Sequence, residues 1–208
     1  MKLSMKLPLF LTLCGLAVIL GGCSTESGTQ TKKAEKPAEA ITGQSALYRM
    51  YQVARSWAPD GQVLKMQSMH LTDVPDVHGK AGAWQATFVS EARNEARVYT
   101  YSVIEAEPNL HQGVFPSQPE SWSASGSGNK PFLIAAVKVD TDAAYKTALA
   151  HAGDYAKQNP KQTISFFLEN APKFTNPSWR VVWGESVGTA ALSVYVDAST
   201  GSYLETMH

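Results

Sequence analysis

Residues 178–183 read Ser-Trp-Arg-Val-Val-Trp, a run in which large apolar side chains recur at every second position. In an extended strand, alternate side chains lie on the same face. Trp179, Val181 and Trp183 therefore line one face of a predicted strand. Such a face can pack in a core, or it can form an exposed aromatic platform for a peptide or a sugar chain. The second alternative makes Trp179 and Trp183 a candidate binding surface.

Other segments around this run also have strand character. Strands are predicted over 163–168, 190–196 and 202–205. Between the last two, Asp197-Ala198-Ser199-Thr200-Gly201 predicts a tight turn, because Gly201 can adopt a positive φ. The carboxyl-terminal part of the chain is therefore expected to be a run of antiparallel strands.

A helix is predicted over 141–158, upstream of these strands. Alanines recur along one side of this segment, Thr141 is placed as its cap, and Asn159-Pro160 ends it. Small side chains allow a helix to approach a sheet closely. Residues 132–139 are predicted to form the strand that opens this second unit, which spans 132–208.

The same order of elements occurs earlier in the chain. Apolar residues spaced as on one helical face predict a helix over 44–57, and a strand follows over 63–71. Residues 84–89 and 98–104 then predict a hairpin, with Asn94 suited to a left-handed turn. In the second strand of this hairpin, Tyr99 and Tyr101 leave the same two alternatives open as the tryptophans, a core or a binding surface.

Together these elements predict an α+β fold of two α-β-β-β-type units, with antiparallel sheets each covered by one helix. The first unit spans 43–110 and the second 132–208. Residues 111–131 are rich in Pro, Ser and Gly and are predicted to be a connecting loop. The shared order of elements suggests an internal duplication, although few residues match between the two units.

The second unit resembles a PepSY domain. The resemblance lies in Val139-Asp140-Thr141-Asp142-Ala143-Ala144 leading into the helix, in His151-Ala152-Gly153-Asp154, in the tryptophan strand 178–183, and in the closing turn within 195–202. In the first unit, Ala92-Arg93-Asn94-Glu95 stands in place of that turn. The resemblance implies a non-catalytic module that restrains or recognises partners, so it supplies no catalytic residue.

The amino terminus carries a second resemblance. Two lysines precede an apolar run over residues 7–20 that is too short to span a membrane, and Leu20-Gly21-Gly22-Cys23 follows. This sequence resembles the lipobox of bacterial lipoproteins. The resemblance implies a signal peptide over 1–22, cleavage before Cys23, and a lipid attached to Cys23. A plain secretory signal with a chance cysteine is the alternative.

Residues 23–42 are predicted to be a lipidated tether. Ser24–Thr42 contains almost no apolar side chains and cannot bury enough surface to fold alone. Ser24 is not the aspartate that commonly retains lipoproteins in the inner membrane. We therefore expect the cell envelope, and the outer membrane facing the periplasm if the host has two membranes.

Charge and cysteine content narrow the classes of function. The chain has 18 basic and 18 acidic side chains, and loss of Lys2 and Lys6 with the signal leaves a net charge of about −2. Such a surface gives no electrostatic case for nucleic-acid binding. Of the two cysteines, Cys14 leaves with the signal and Cys23 takes the lipid. The mature chain is then predicted to have no disulfide and no thiol nucleophile.

One loop contains residue types that bind metal ions: His70, Asp73, Asp76 and His78. Two imidazoles and a carboxylate could be folded onto one ion. These are also ordinary loop residues, and no helical spacing fixes their geometry. We expect no cofactor and treat this loop as a weak metal candidate.

Three hypotheses of function follow. The first is a lipid-anchored, non-catalytic envelope protein that binds another envelope protein or a peptide, with peptidase inhibition as one form of such binding. The second is a metal-dependent hydrolase that uses the His70–His78 loop. The third is a structural subunit whose only ligand is a neighbouring protein.

Overall fold

The computed structural model describes residues 37–106, 108–126 and 128–208. The predicted signal peptide, Cys23 and most of the predicted tether lie outside these residues. Residues 37–42 of the predicted tether are described, and the last two of them, Ile41 and Thr42, form strand β1, which pairs with β3, Lys80–Ala81. The tether is therefore shorter at its carboxyl end than predicted.

The other strands form one antiparallel sheet. They are β2 (Gln62–Met69), β4 (Ala83–Ser90), β5 (Glu95–Ser102), β6 (Gly113–Pro116), β7 (Glu120–Ser121), β8 (Ile164–Glu169), β9 (Ser178–Trp183), β10 (Leu192–Asp197) and β11 (Tyr203–Met207). Their order across the sheet is β11-β10-β9-β8-β2-β4-β5-β6, and the short β7 also pairs with β5. The predicted α+β class with antiparallel strands is confirmed. The strands of both predicted units belong to a single sheet, because β2 pairs with β8.

Three α-helices accompany the sheet: α1 (Gly43–Trp57), α2 (Thr141–His151) and α3 (Gly153–Gln158). Helix α1 contacts β4, β5 and β6, and α2 contacts β9, β10 and β11. Directly paired residues share a face of a sheet, and one such row joins the following residues of one core: Tyr99, Ala86, Met66, Leu168, Trp179 and Val196. Both helices pack on this core. No described helix is long and apolar enough to cross a membrane.

The two halves of the sheet are arranged equivalently about the β2–β8 pair. The indole N–H of Trp84 donates to the carbonyl of Ile41 at 3.1 Å, two residues before α1 begins. The indole N–H of Trp179 donates to the carbonyl of Val139 at 2.8 Å, two residues before α2 begins. Each tryptophan thus holds the backbone just before one of the two helices. This equivalent arrangement is consistent with the duplication hypothesis.

The amino-terminal ends of α1 and α2 also bond to each other. Asp140 Oδ1 accepts from Thr141 N at 2.7 Å and from Gln44 N at 2.9 Å, so one carboxylate caps both helices. Gly43 N donates to Thr141 Oγ1 at 2.8 Å. The helix cap is therefore Asp140 and not Thr141, because the carboxylate reaches the free N–H groups of both helices.

Several predicted boundaries were wrong. Residues 132–139 contain a short 3-10 turn (Ile134–Ala136), and only Phe132 makes a β-bridge, with Val63. The predicted connecting loop contains β6, which supplies the outermost strand of the first half. The predicted helix over 141–158 is divided into α2 and α3 because Gly153 adopts a φ of 59°.

The two predicted turns are present. Asn94 adopts a φ of 54° between β4 and β5, as expected because asparagine tolerates the left-handed region of the backbone. After β10, Asp197 Oδ1 accepts from Ser199 N at 2.8 Å and Thr200 N at 2.9 Å, and Gly201 has a φ of 79°. Burial raises the pKa of Asp197, but these bonds and one from Asn176 outweigh it, so the net effect lowers the pKa. The carboxylate of Asp197 therefore stabilises the closing turn through hydrogen bonds to its backbone.

Candidate functional site

The aromatic residues predicted as a binding surface lie in the core. Trp179 and Tyr99 are 0% exposed, Trp183 is 1% exposed and Tyr101 is 7% exposed. They face the helices, where burial of a large apolar side chain is most favourable. The surface interpretation of these four residues was wrong, and the core interpretation holds.

The predicted histidine loop is instead tied to the centre of the sheet. His70 follows β2, and its Nδ1 forms a hydrogen-bonded ion pair with Asp76 Oδ2. On the other side of the ring, Nε2 lies 2.8 Å from Ser165 Oγ in β8. Ser165 Oγ in turn donates to the carbonyl of Gly184 at 2.7 Å. With the hydroxyl donating to Gly184, an imidazolium satisfies both contacts of His70, because it donates from both ring nitrogens.

The surroundings of His70 favour its charged form. The hydrogen bond to Asp76 raises the pKa of His70, and the charges of Asp76 and Glu185 raise it further. Partial burial acts in the opposite direction and is outweighed. The side chains of His70 and Asp76 are 29% and 26% exposed, so water screens their attraction in part.

The order Ser165–His70–Asp76 has the connectivity of a serine hydrolase triad. Two features differ from what such catalysis needs. Ser165 is only 1% exposed, and its hydroxyl is committed to Gly184. A nucleophile must reach the substrate and give its proton to the imidazole. The arrangement is therefore a hydrogen-bond chain, buried at Ser165 and partly exposed at His70 and Asp76, that joins the two halves of the sheet.

The predicted metal ligands are only partly brought together. His70, Asp76 and His78 line one pocket, whereas Asp73 does not. Across the described residues, no three His, Cys, Asp or Glu side chains are placed to hold one metal ion. Both ring nitrogens of His70 instead have hydrogen-bond partners, Asp76 and Ser165.

The pocket beside His70 is about 460 Å³ in volume. We name it the junction pocket, because residues from both halves of the chain line it. They are His70 and 76–79 of the loop after β2, Lys80 of β3, Tyr145 of α2, the segment 160–163, Ile164 and Phe166 of β8, and Glu185. Its volume lies within the range of about 300–1,000 Å³ typical of ligand sites. The pocket is the strongest candidate binding site in the described part of the chain.

Several polar groups in the junction pocket are uncommitted. Lys80, Lys161, His78, Glu185 and the hydroxyl of Tyr145 line it, and none has a side-chain hydrogen bond or ion pair to another described residue. By contrast, Gln162 donates to the carbonyl of Trp183 at 3.0 Å and accepts from Tyr155. A pocket that converges uncommitted polar groups over an apolar floor is suited to bind a ligand.

Sequence reasoning found the histidine loop but missed most of the pocket. Ser165 lies 95 positions from His70, and only the β2–β8 pairing brings them together. Lys161 follows Pro160 in a short segment that was predicted only to connect a helix to a strand. No local pattern marks these residues, because their meeting depends on how the two halves join.

Comparison with known proteins adds little. No family model matches the chain, and no curated protein matches it. A solved structure that resembles it, described as a putative lipoprotein from Clostridium difficile 630, has 7% sequence identity and a TM-score of 0.46. The match covers 84% of this chain and 95% of that one. A likeness at this level supports no argument, so the function is inferred from this chain's own residues.

Proposed function

We propose that the protein is a lipid-anchored, non-catalytic protein of the bacterial cell envelope that binds another envelope protein or a peptide in the junction pocket. One observation carries the proposal. Lys80, Lys161, His78, Glu185 and Tyr145 line the pocket without a side-chain hydrogen bond or ion pair to another described residue, while the serine beside it is buried. This combination suits binding better than bond cleavage.

Absence of catalysis is part of the proposal and is tested directly. A fluorophosphonate probe reacts with an activated serine that it can reach. We expect no labelling of Ser165 in the folded protein, because its side chain is buried and donates to Gly184. Labelling that disappears in Ser165→Ala would show a serine hydrolase and overturn the proposal.

The lipid anchor rests on Leu20-Gly21-Gly22-Cys23. Two or more acyl chains would hold the protein at a bilayer stably, whereas one would not. Radiolabelled palmitate should label the wild-type protein and the Cys14→Ala variant equally, and should not label Cys23→Ala. Equal labelling of all three would exclude Cys23 as the attachment site. We place the protein on the outer membrane, facing the periplasm, in a host with two membranes.

Binding at the pocket is tested by site-specific cross-linking in intact cells. A photoreactive amino acid at position 77 replaces an exposed valine that lines the pocket, and one at position 138 replaces an exposed lysine outside it. We expect a discrete adduct from position 77 and none from position 138. An adduct lost in the Cys23→Ala background would show that binding requires the anchor. Equal adducts at both positions, or none, would contradict the proposal.

A further inference from the structure

We infer that the junction pocket binds the carboxyl-terminal end of a peptide chain, with the terminal carboxylate at Lys80 and Lys161 and an apolar last side chain against Tyr145 and Phe166. This inference rests on the proposed function and names the chemistry that the pocket would recognise.

The size of the pocket favours the end of a chain. A volume of about 460 Å³ lies in the lower half of the range for ligand sites and suits a short segment. A strand that runs through a site and leaves at both sides needs a longer groove and an open sheet edge. The strand of the large sheet that lines the pocket is β8, which lies between β2 and β9 and has no free edge.

The floor of the pocket is aromatic and fixed. The rings of Tyr145 and Phe166 meet edge to face with centroids 6.4 Å apart. Phe166 also contacts Trp84, with centroids 6.3 Å apart, so it is held from below by the core. Ile164 completes the apolar side. Such a surface offers an apolar side chain burial without a large rearrangement.

The charges of the pocket favour an anion. Lys80 and Lys161 have no ion-pair partner among the described residues, while the negative charge of Asp76 is balanced by its pair with His70. The other carboxylate of the pocket, Glu185, also attracts the proton of His70, so it does not neutralise both lysines. An anionic group bound in the pocket would make charge-assisted hydrogen bonds with these lysines.

Lys80 is also well positioned. Its backbone N–H donates to Val77 O at 3.0 Å and its carbonyl accepts from Val77 N at 3.1 Å. It pairs with Thr42 in the β1–β3 ladder as well. Because the backbone is fixed, only the lysine side chain must be ordered when a carboxylate binds. A peptide C-terminus supplies that carboxylate together with an adjacent apolar side chain.

The experiment compares peptide acids with peptide amides on the full lipidated protein in detergent. The probes are fluorescein-labelled pentapeptide mixtures, randomised at four positions and ending in Phe or Leu, with either a free carboxylate or a carboxamide. Binding is measured by fluorescence anisotropy. We expect the acids to bind at least about tenfold more tightly, because a hydrogen bond to a charged group contributes about this much.

Variants test whether the named charges are responsible. Lys80→Ala and Lys161→Ala should each weaken acid binding by about tenfold, while Lys138→Ala, an exposed lysine outside the pocket, should not. Glu185→Gln should strengthen acid binding relative to amide binding, because it removes a carboxylate that repels only the charged ligand. A merely structural role of Glu185 would not produce a gain of this kind.

The outcomes separate this inference from the proposed function. Equal binding of acids and amides, no binding of either, or unchanged binding in the lysine variants would overturn the carboxylate inference. The proposed function would then stand or fall on the cross-link from position 77. Loss of that cross-link would overturn both.

Discussion

His70 Nε2 lies 2.8 Å from Ser165 Oγ, and this contact joins the loop after β2 to β8 across the middle of the sheet. The same imidazole pairs with Asp76, which holds the loop that forms one wall of the junction pocket. Stability and binding should therefore be linked at His70, and substitutions there test the link.

Removal of the imidazole should destabilise the fold. We expect His70→Ala to lower the free energy of unfolding by about 1–2 kcal/mol, because Asp76 and Ser165 lose a charged partner at a partly exposed position. Urea denaturation of the full chain measures the change. His208→Ala, at the exposed carboxyl terminus, is the control and should leave stability unaltered. A value equal to that of the control would mean that His70 does not hold the loop.

The contribution of His70 should depend on pH. Its folded pKa is raised above the ordinary value of 6.5, chiefly by the hydrogen bond to Asp76, so the folded state binds the proton more tightly. The stabilisation is then fully present below about pH 6.5 and is lost as the pH rises through the folded pKa.

Unfolding of the wild type and of His70→Ala between pH 5 and 9 measures this dependence. The stability difference between them should be largest at pH 5 and should shrink with rising pH. A difference that is constant, or that grows with pH, would show that the neutral imidazole makes these bonds.

The indole hydrogen bonds of the two equivalent tryptophans should each stabilise the fold. Trp84→Phe and Trp179→Phe lose the bonds to Ile41 and Val139 and leave a small void. We expect each to lower the free energy of unfolding by about 1–3 kcal/mol. Trp57→Phe is a suitable comparison, because the buried indole nitrogen of Trp57 has no described partner to lose. If all three substitutions lower the free energy of unfolding by the same amount, the two hydrogen bonds contribute little to stability.

Gly43 is needed where α1 meets α2. A β-carbon at this position would lie 2.7 Å from Thr141 Cγ2, 2.9 Å from Trp179 and 3.0 Å from Trp84. We expect Gly43→Ala to lower the free energy of unfolding by about 1–3 kcal/mol, although alanine has the higher helix propensity. At Gly188 nothing lies within 4 Å of an added β-carbon, so Gly188→Ala should change the free energy of unfolding by no more than about 0.5 kcal/mol. Thermal unfolding compares the two, and a neutral Gly43→Ala would show that the two helices separate easily.

Much of the fold could be predicted from local patterns. The alternation in 178–183 placed Trp179 and Trp183 on one face, and helix α1 followed from its apolar spacing. Both turns followed from residues that tolerate positive φ, Asn94 and Gly201. These features depend on neighbours in sequence, which a single chain displays directly.

Other features depend on distant contacts and could not be predicted. Nothing near Val63 or His70 indicates that β2 pairs with β8, yet this pairing makes one sheet and builds the junction pocket. Aromatic alternation also cannot decide which face of a strand meets helices, so Tyr99 and Trp179 remained candidates for a surface. The Gly-Val-Phe-Pro segment of β6 is too short and proline-ended to resemble a strand.

Occupancy of the junction pocket in living cells tests the account most directly. Neither cysteine of the chain lies among the described residues, so a single thiol introduced as Val77→Cys reports on the pocket, with Lys138→Cys as the reference. Maleimide labelling of the two variants is timed in intact cells and in purified protein. We predict that the thiol at position 77 reacts several-fold more slowly in cells than when purified, relative to the thiol at position 138. Equal relative rates in cells and in purified protein would contradict a bound partner in the pocket.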